Sequence, residues 1–198
     1  STVSNTSDKI GHNLNFTFSG GYAKIPNIQC SIRVIAVNDC STDHDIPTTV
    51  SNCNHIYQIE VLNLLRNVGH QRAIAVGLVT LFRDGCSDDV IVMDADGEDT
   101  PQSIEELLLA HAESQQSIIV ARRGNRNESR WFQIYYHLYK FLFYLLTSDK
   151  INFGNFCLIS NIHLPSLVYN PNLWNHFAAT IQHSKLPITP IQINRGKR

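Results

Sequence analysis

The sequence predicts an α/β domain in which a mostly parallel sheet is flanked by helices. From Ser31 onward, short apolar runs alternate with stretches of helical periodicity, the pattern of βαβ units. Two of those runs, Ile32–Val37 and Val90–Met93, lead straight into aspartates. Ligands of open α/β sheets bind beyond the carboxyl ends of the strands, which is where those aspartates fall.

Residues 1–29 are rich in Ser, Asn, Gly and Thr, with one weak alternating stretch at Leu14–Phe18. The chain therefore divides into a poorly defined segment, 1–30, and a domain, 31–198. Ile32–Val37 reads as a buried strand ending at Asn38-Asp39. Ser41, Thr42 and Asp43 then suit a tight turn, because their side chains bond to nearby backbone. Ile56–Leu62 is a second strand. Asn67 and Gly69 mark a turn opening a helix over 69–82, with Ala73, Ile74, Gly77, Leu78, Leu81 and Phe82 on one side. Ala73 and Gly77, four apart, let that helix pack closely.

Val90–Met93 is a third strand running into Asp94-Ala95-Asp96. Thr100-Pro101 starts a helix, Thr as the cap and Pro at the first helical position. Ile118–Ala121 is a fourth strand, followed by a basic loop and an aromatic helix over 130–146. A short apolar stretch at Phe156–Ile159, a helix near Leu173–His183 and an extended segment Ile188–Ile193 complete the chain.

At 198 residues the chain has the size of one domain, able to bury roughly 70% of its unfolded surface. Hydrophobic residues make up 43% and charged residues 17%, which fits a globular protein. A net charge of −1 supplies no global attraction for nucleic acid, and no nucleic-acid partner is expected. Anion binding must come from local clusters: Arg122, Arg123, Arg126 and Arg130, and Arg195, Lys197 and Arg198. Five cysteines with no close pairs argue against a disulfide framework or zinc ribbon and for a reducing compartment. No signal-peptide pattern opens the chain, and no apolar run reaches the ~20 residues that span a bilayer. The nine histidines form no HExxH pattern, and surface or packing roles are expected for His176 and His183.

The strongest chemical signal is VIVMDADGED, in which a hydrophobic strand delivers two carboxylates into the turn at its end. Carboxylate oxygens are hard ligands suited to magnesium or manganese that also bridges phosphates. Taken alone the pattern is ambiguous, since strands ending in Asp also occur in triphosphatases and receiver domains. A P-loop is excluded by the lack of GxxxxGK[ST].

The ordered set VNDCSTD, NVGHQRAIAVGL, VIVMDADGED-TP, ARRGNRNESR, FGNF, LWNH and RGKR resembles glycosyltransferase family 2 over about residues 31–198. It is most similar to dolichyl-phosphate sugar synthases and bacterial polyprenyl-phosphate glycosyltransferases. The resemblance implies a GT-A fold and inverting transfer from a UDP- or GDP-sugar to a polyprenyl phosphate. It implies that Asp39 hydrogen-bonds the nucleotide base. Asp94 and Asp96 match the metal and diphosphate motif, with Asp96 the better direct ligand of Mg2+ or Mn2+. Arg126, Arg130 and FGNF would line the acceptor side, while Arg195, Lys197 and Arg198 would face phosphates. Asp94, Asp96 and Asn155 form the expected catalytic set.

The sequence departs from the family in three places. Residues 1–29 hold neither the usual first strand nor its Pro-x-Tyr-Asn-Glu-like turn, and Arg198 falls where relatives continue, so a domain truncated at both ends is expected. Asn155 stands where many relatives have Asp. A sugar hydroxyl needs a base to take its proton, whereas a phosphate monoester, with a second pKa of about 6, brings its own negative oxygen. Asn155 therefore points to a lipid phosphate acceptor; otherwise the base is sought at Glu98, Asp99 or His176. The aromatic helix, with Trp131 and Tyr135, suits either a membrane interface or a buried packing role. The first option places the protein at the cytoplasmic face of a membrane. The rival readings are an inactive nucleotide-binding relative and a sugar-nucleotide nucleotidyltransferase, the latter lacking its Gly-rich phosphate loop.

Overall fold

A computed structural model describes residues 32–41, 56–95, 98–123 and 152–193. The predicted aromatic helix and the segment 1–31 lie outside them. The strands are β1 (Ile32–Asn38), β2 (Ile56–Asn63), β3 (Val90–Val92), β4 (Ile118–Arg123), β5 (Cys157–Ile159) and β6 (Ile188–Ile193). The helices are α1 (His70–Arg83), α2 (Pro101–Glu113), α3 (Leu164–Val168) and α4 (Phe177–His183), with 3-10 turns at Asn161–His163 and Pro171–Trp174.

β1 and β2 pair in parallel, with Asn38 opposite Asn63. The other four strands form a sheet in the order β3-β5-β4-β6. There β4 and β6 are parallel, while β5 is antiparallel to both β3 and β4. Thus β3, β4 and β6 share a direction, and the sheet is mixed because β5 is slotted between two of them. The three-residue run at β5 carries no sequence mark of direction, so this reversal was not legible. It matters for the site, because the entry end of β5 meets the exit ends of β3 and β4.

Both faces of this sheet are covered, which explains why β3, β5 and residues 118–121 of β4 are continuously apolar, while the edge strand β6 interleaves polar residues. Val90, Val92, Ile118, Val120, Cys157 and Ile159 pack on one face with Ala75 and Leu78 of α1, Leu164 and Leu167 of α3, and Phe177 and Ile181 of α4. Ile119, Ala121, Leu158 and Ile193 pack on the other with Leu107 of α2. Each fully buried Leu or Ile here contributes roughly 1.5–3 kcal/mol. No described helix is long and apolar enough to cross a membrane.

The helix boundaries follow local chemistry. Gly69 opens α1 at φ 88°, a left-handed conformation that a residue with a Cβ adopts only with strain. Gly77 packs closely on β1, since a Cβ there would lie 3.0 Å from Cγ2 of Val37 and that side chain would have to give by a few tenths of an ångström. Thr100 caps α2 by accepting from the Ser103 amide at 3.3 Å, and Pro101 follows at the first helical position. The helix predicted over 173–183 is instead a 3-10 turn and the short α4. His176 breaks it with extended backbone, and its Nδ1 accepts from the Ala179 amide at 3.3 Å.

Candidate active site

The site forms where β3 ends and β5 begins. Val92 pairs with Cys157, so continuing that antiparallel register sets Asp94 opposite Asn155. Asp94 is held from behind: its backbone amide donates to Oδ2 of the buried Asp99 at 3.1 Å. Its side chain faces the Asn155 amide, with Nδ2 of Asn155 at 3.5 Å from Oδ1 of Asp94.

α1 brings two further side chains to this point. His70 Nε2 lies 3.3 Å from Oδ1 of Asp94 and 2.8 Å from Nδ2 of Asn155. Gln71 Nε2 donates to Oδ1 of Asn155 at 3.4 Å, while Gln71 Oε1 accepts from the Phe177 amide at 2.7 Å. Asn155 is thereby oriented, its oxygen turned to Gln71 and its NH2 group to His70 and Asp94. Gln71 also ties α1 to the start of α4.

Asp39, at the end of β1, braces the loop before α1. Its two carboxylate oxygens accept from the amides of Val68 at 2.7 Å and Gly69 at 2.9 Å, and its carbonyl accepts from Asn67 Nδ2 at 3.2 Å. The next residue along is His70, so residues 67–70 link the end of β1 to the end of β3. Each oxygen of Asp39 retains a second lone pair. Asn38 also holds the turn: its Oδ1 accepts from the Ser41 amide at 2.9 Å, and its Nδ2 donates to Asn63 at 2.8 Å. Cys40 within this turn has φ 58°.

An open cleft of about 340 Å³ adjoins the cluster, with residues 68–72 on one side and Trp174 and Asn175 on the other. His70 belongs to both.

These contacts are those of a sheet-end site assembled by two βα turns and one reversed strand. A profile of glycosyl transferase family 2 matches residues 27–164, well over half of the chain. The chain belongs to glycosyl transferase family 2. The family match spans Asp39, Asp94 and Asn155, and the layered mixed sheet is the GT-A fold of such enzymes. An uncharacterized glycosyltransferase of Synechocystis sp. (strain ATCC 27184 / PCC 6803 / Kazusa) is 28% identical over 149 residues. That alignment takes in 74% of this chain and 46% of the relative, so the chain spans just under half of that protein's length.

For this glycosyltransferase-family chain, the structure brings Asp94 and Asn155 together and sets Asp39 at the far end of the 67–70 loop. Asp96, Arg126, Arg130, Arg195, Lys197 and Arg198 lie outside the described residues. Arg122 is exposed and, by the register of β4 with β5, falls in line with Asn155. Of the alternative bases, Glu98 and Asp99 are buried, Asp99 accepting from the Asp94 amide, and His176 caps α4. His70 and Gln71 were not singled out from sequence. Their signal is two polar residues opening the first turn of a helix directly after a glycine.

Among the described residues no three His, Cys, Asp or Glu side chains gather as a metal-binding group. Asp94 nevertheless fits magnesium or manganese, which are commonly bound by one or two carboxylates with substrate phosphates and water completing the shell. Beneath the site, Cys157 sits in mid-sheet. Complete burial, and secondarily the negative charge of Asp99, push its thiol far above the ordinary value, so it stays protonated.

Proposed function

We propose that this domain, residues 31–198, transfers a sugar from a UDP- or GDP-sugar to a polyprenyl phosphate, inverting the anomeric carbon. The observation that carries this reading is the pairing of Asp94 with an amide, Asn155, rather than with a second carboxylate. A carboxylate beside an oriented amide suits charge management and placement, not removal of a proton from a neutral hydroxyl. A phosphate monoester needs no such removal.

In the reaction, an acceptor phosphate oxygen forms the bond to the anomeric carbon as the bond to the donor's diphosphate breaks. Negative charge builds on the departing diphosphate. Mg2+ or Mn2+, when bound by Asp94 and Asp96, would neutralise that charge. Asp99 fixes the backbone of Asp94, and Gln71 fixes the amide of Asn155, so both groups meet substrate already oriented. Asn155 would hold the acceptor phosphate through its NH2 group by exchanging its long 3.5 Å contact to Asp94 for a phosphate oxygen. Arg122, with Arg126 and Arg130, would supply the planar guanidinium groups that match phosphate oxygens. Asp39 would receive the nucleotide base, and Arg195, Lys197 and Arg198 would close on the donor phosphates. An acceptor anchored in lipid would set the reaction at a membrane surface, its cytoplasmic face, with the aromatic segment 130–146 as the contact.

An acceptor panel tests this. Transfer to a polyprenyl phosphate, and none to free sugars or neutral glycans, is the expected outcome. Efficient transfer to a neutral hydroxyl with no reaction on lipid phosphate would overturn it.

A further inference from the structure

The cleft beside the catalytic cluster presents a surface that the roles assigned above do not use. Its far wall is Trp174, which remains 41% exposed although the preceding Leu173 is fully buried. The 3-10 turn of Pro171–Trp174 explains the contrast. Asn170 caps it at the Asn172 amide, and Leu173 anchors it in the core, so the neighbouring indole is sent outward. The other large aromatic exposed nearby, Tyr169, is engaged edge-on with Phe82 at 5.5 Å. Among the described residues Trp174 has no ring contact, and its indole N–H, the Arg72 guanidinium and the Asn175 side-chain carboxamide have no hydrogen-bond partner.

The size and chemistry of the cleft define what fits it. About 340 Å³ lies at the low end of the ~300–1,000 Å³ usual for small-ligand sites, room for one sugar ring. A hexopyranose has an apolar C–H face and a rim of hydroxyls. An indole plane covers such a face, and guanidinium, carboxamide and indole N–H groups serve such a rim. Among the described residues no carboxylate lines the cleft, and Arg72 gives its wall a positive group that suits the diphosphate to which a donor sugar is joined. The floor over Gly69 is open, for a Cβ at that position would meet nothing within 4 Å.

Location decides between a donor sugar and an acceptor. His70 lines the cleft and reaches Asp94 at 3.3 Å, so the cleft begins directly beside the carboxylate assigned to the diphosphate. The transferred ring is the part of the donor bonded to that diphosphate. We propose that the cleft between residues 69–72 and Trp174–Asn175 holds the transferred hexopyranosyl ring of the donor, with Trp174 as its stacking platform. Trp174 and Asn175 then determine sugar preference. This assignment rests on the nucleotide-sugar reading above and adds a subsite to it.

The experiment is calorimetric binding to the full chain with manganese present. The probes are UDP, GDP, UDP-glucose, UDP-galactose, UDP-N-acetylglucosamine and GDP-mannose. The variants are Trp174→Ala, Trp174→Phe and Asn175→Ala, all at exposed positions. Trp174→Ala is expected to weaken a sugar nucleotide by about 5- to 10-fold while leaving its parent diphosphate unchanged, with most of the loss restored in Trp174→Phe. Asn175→Ala is expected to weaken the same sugar nucleotide selectively. If wild type binds diphosphate and sugar nucleotide, but neither substitution changes their ratio for any sugar, the subsite is wrong and the nucleotide-sugar reading stands. If wild type binds none of the six probes, both fall together.

Discussion

Asp94 and Asn155 stand in register across β3 and β5, two residues beyond the Val92–Cys157 pair, with Asn155 Nδ2 at 3.5 Å from Asp94 Oδ1. Only a reversed β5 can do this. Were β5 parallel to β3, Asn155 would enter the sheet at the opposite end from Asp94. The same reversal puts Arg122 in line with Asn155 from the other side. A single topological feature thus gathers Asp94, Arg122 and Asn155, which lie 28 to 61 positions apart along the chain.

Gln71 is expected to act as a positioning residue. Gln71→Glu can still accept from the Phe177 amide but cannot donate to Asn155 Oδ1, so the Asn155 amide loses its fixed orientation. We expect kcat to fall by about tenfold, the scale of a misplaced group, with nucleotide affinity and folding nearly unchanged. An equal loss of nucleotide affinity and thermal stability would show Gln71 to be structural only.

Asp39 carries a structural duty beside any contact with the base. Removing its carboxylate in Asp39→Ala leaves the Val68 and Gly69 amides without their charged acceptor. The expected loss is about 2 kcal/mol of stability, measured by urea unfolding, with weaker nucleotide binding. Full stability in this variant would mean that the 67–70 loop holds itself.

The sequence made the βα elements legible because each carries its own local signal. Ile32–Asn38 is rich in β-branched residues and runs into Asp39, Gly69 opens α1, and Thr100-Pro101 opens α2. Gly77 was readable as a close-packing residue, and Val37 is what it packs against. The spacing of Leu173, Phe177 and Ile181 is helical, yet the backbone of Asn175 and His176 breaks the helix between them, a local conformation that apolar periodicity does not encode. Register is a non-local property, so nothing in FGNF alone announces that Asn155 meets Asp94. His70 and Gln71 escaped notice for the same reason: their partners are 24 to 106 positions away in sequence, as Asn155 and Phe177 illustrate.

Cys157 should make stability fall at alkaline pH. Its folded pKa lies far above the ordinary 9.0, so the unfolded chain loses the thiol proton while the folded chain keeps it. Its contribution is complete below about pH 8.5 and is lost above that by up to ~1.4 kcal/mol per pH unit. Cys157→Ala, compared with wild type between pH 8 and pH 10.5 (roughly the window set by an unfolded thiol), should show a shallower decline. Parallel declines would contradict the assignment. A thiol reagent should modify the exposed Cys40 in the native protein and Cys157 only after unfolding.

The central claim is that Asp94, with Asp96, holds a divalent cation that completes its shell with a nucleotide diphosphate. Calorimetry of UDP and GDP binding, in manganese, in magnesium and in chelator, tests it on wild type, Asp94→Ala and Asp96→Ala. The account predicts that metal strengthens binding of at least one nucleotide by about tenfold, roughly 1.4 kcal/mol, and that either substitution removes this gain. Equal affinity in metal and in chelator, with both variants indistinguishable from wild type, would contradict it.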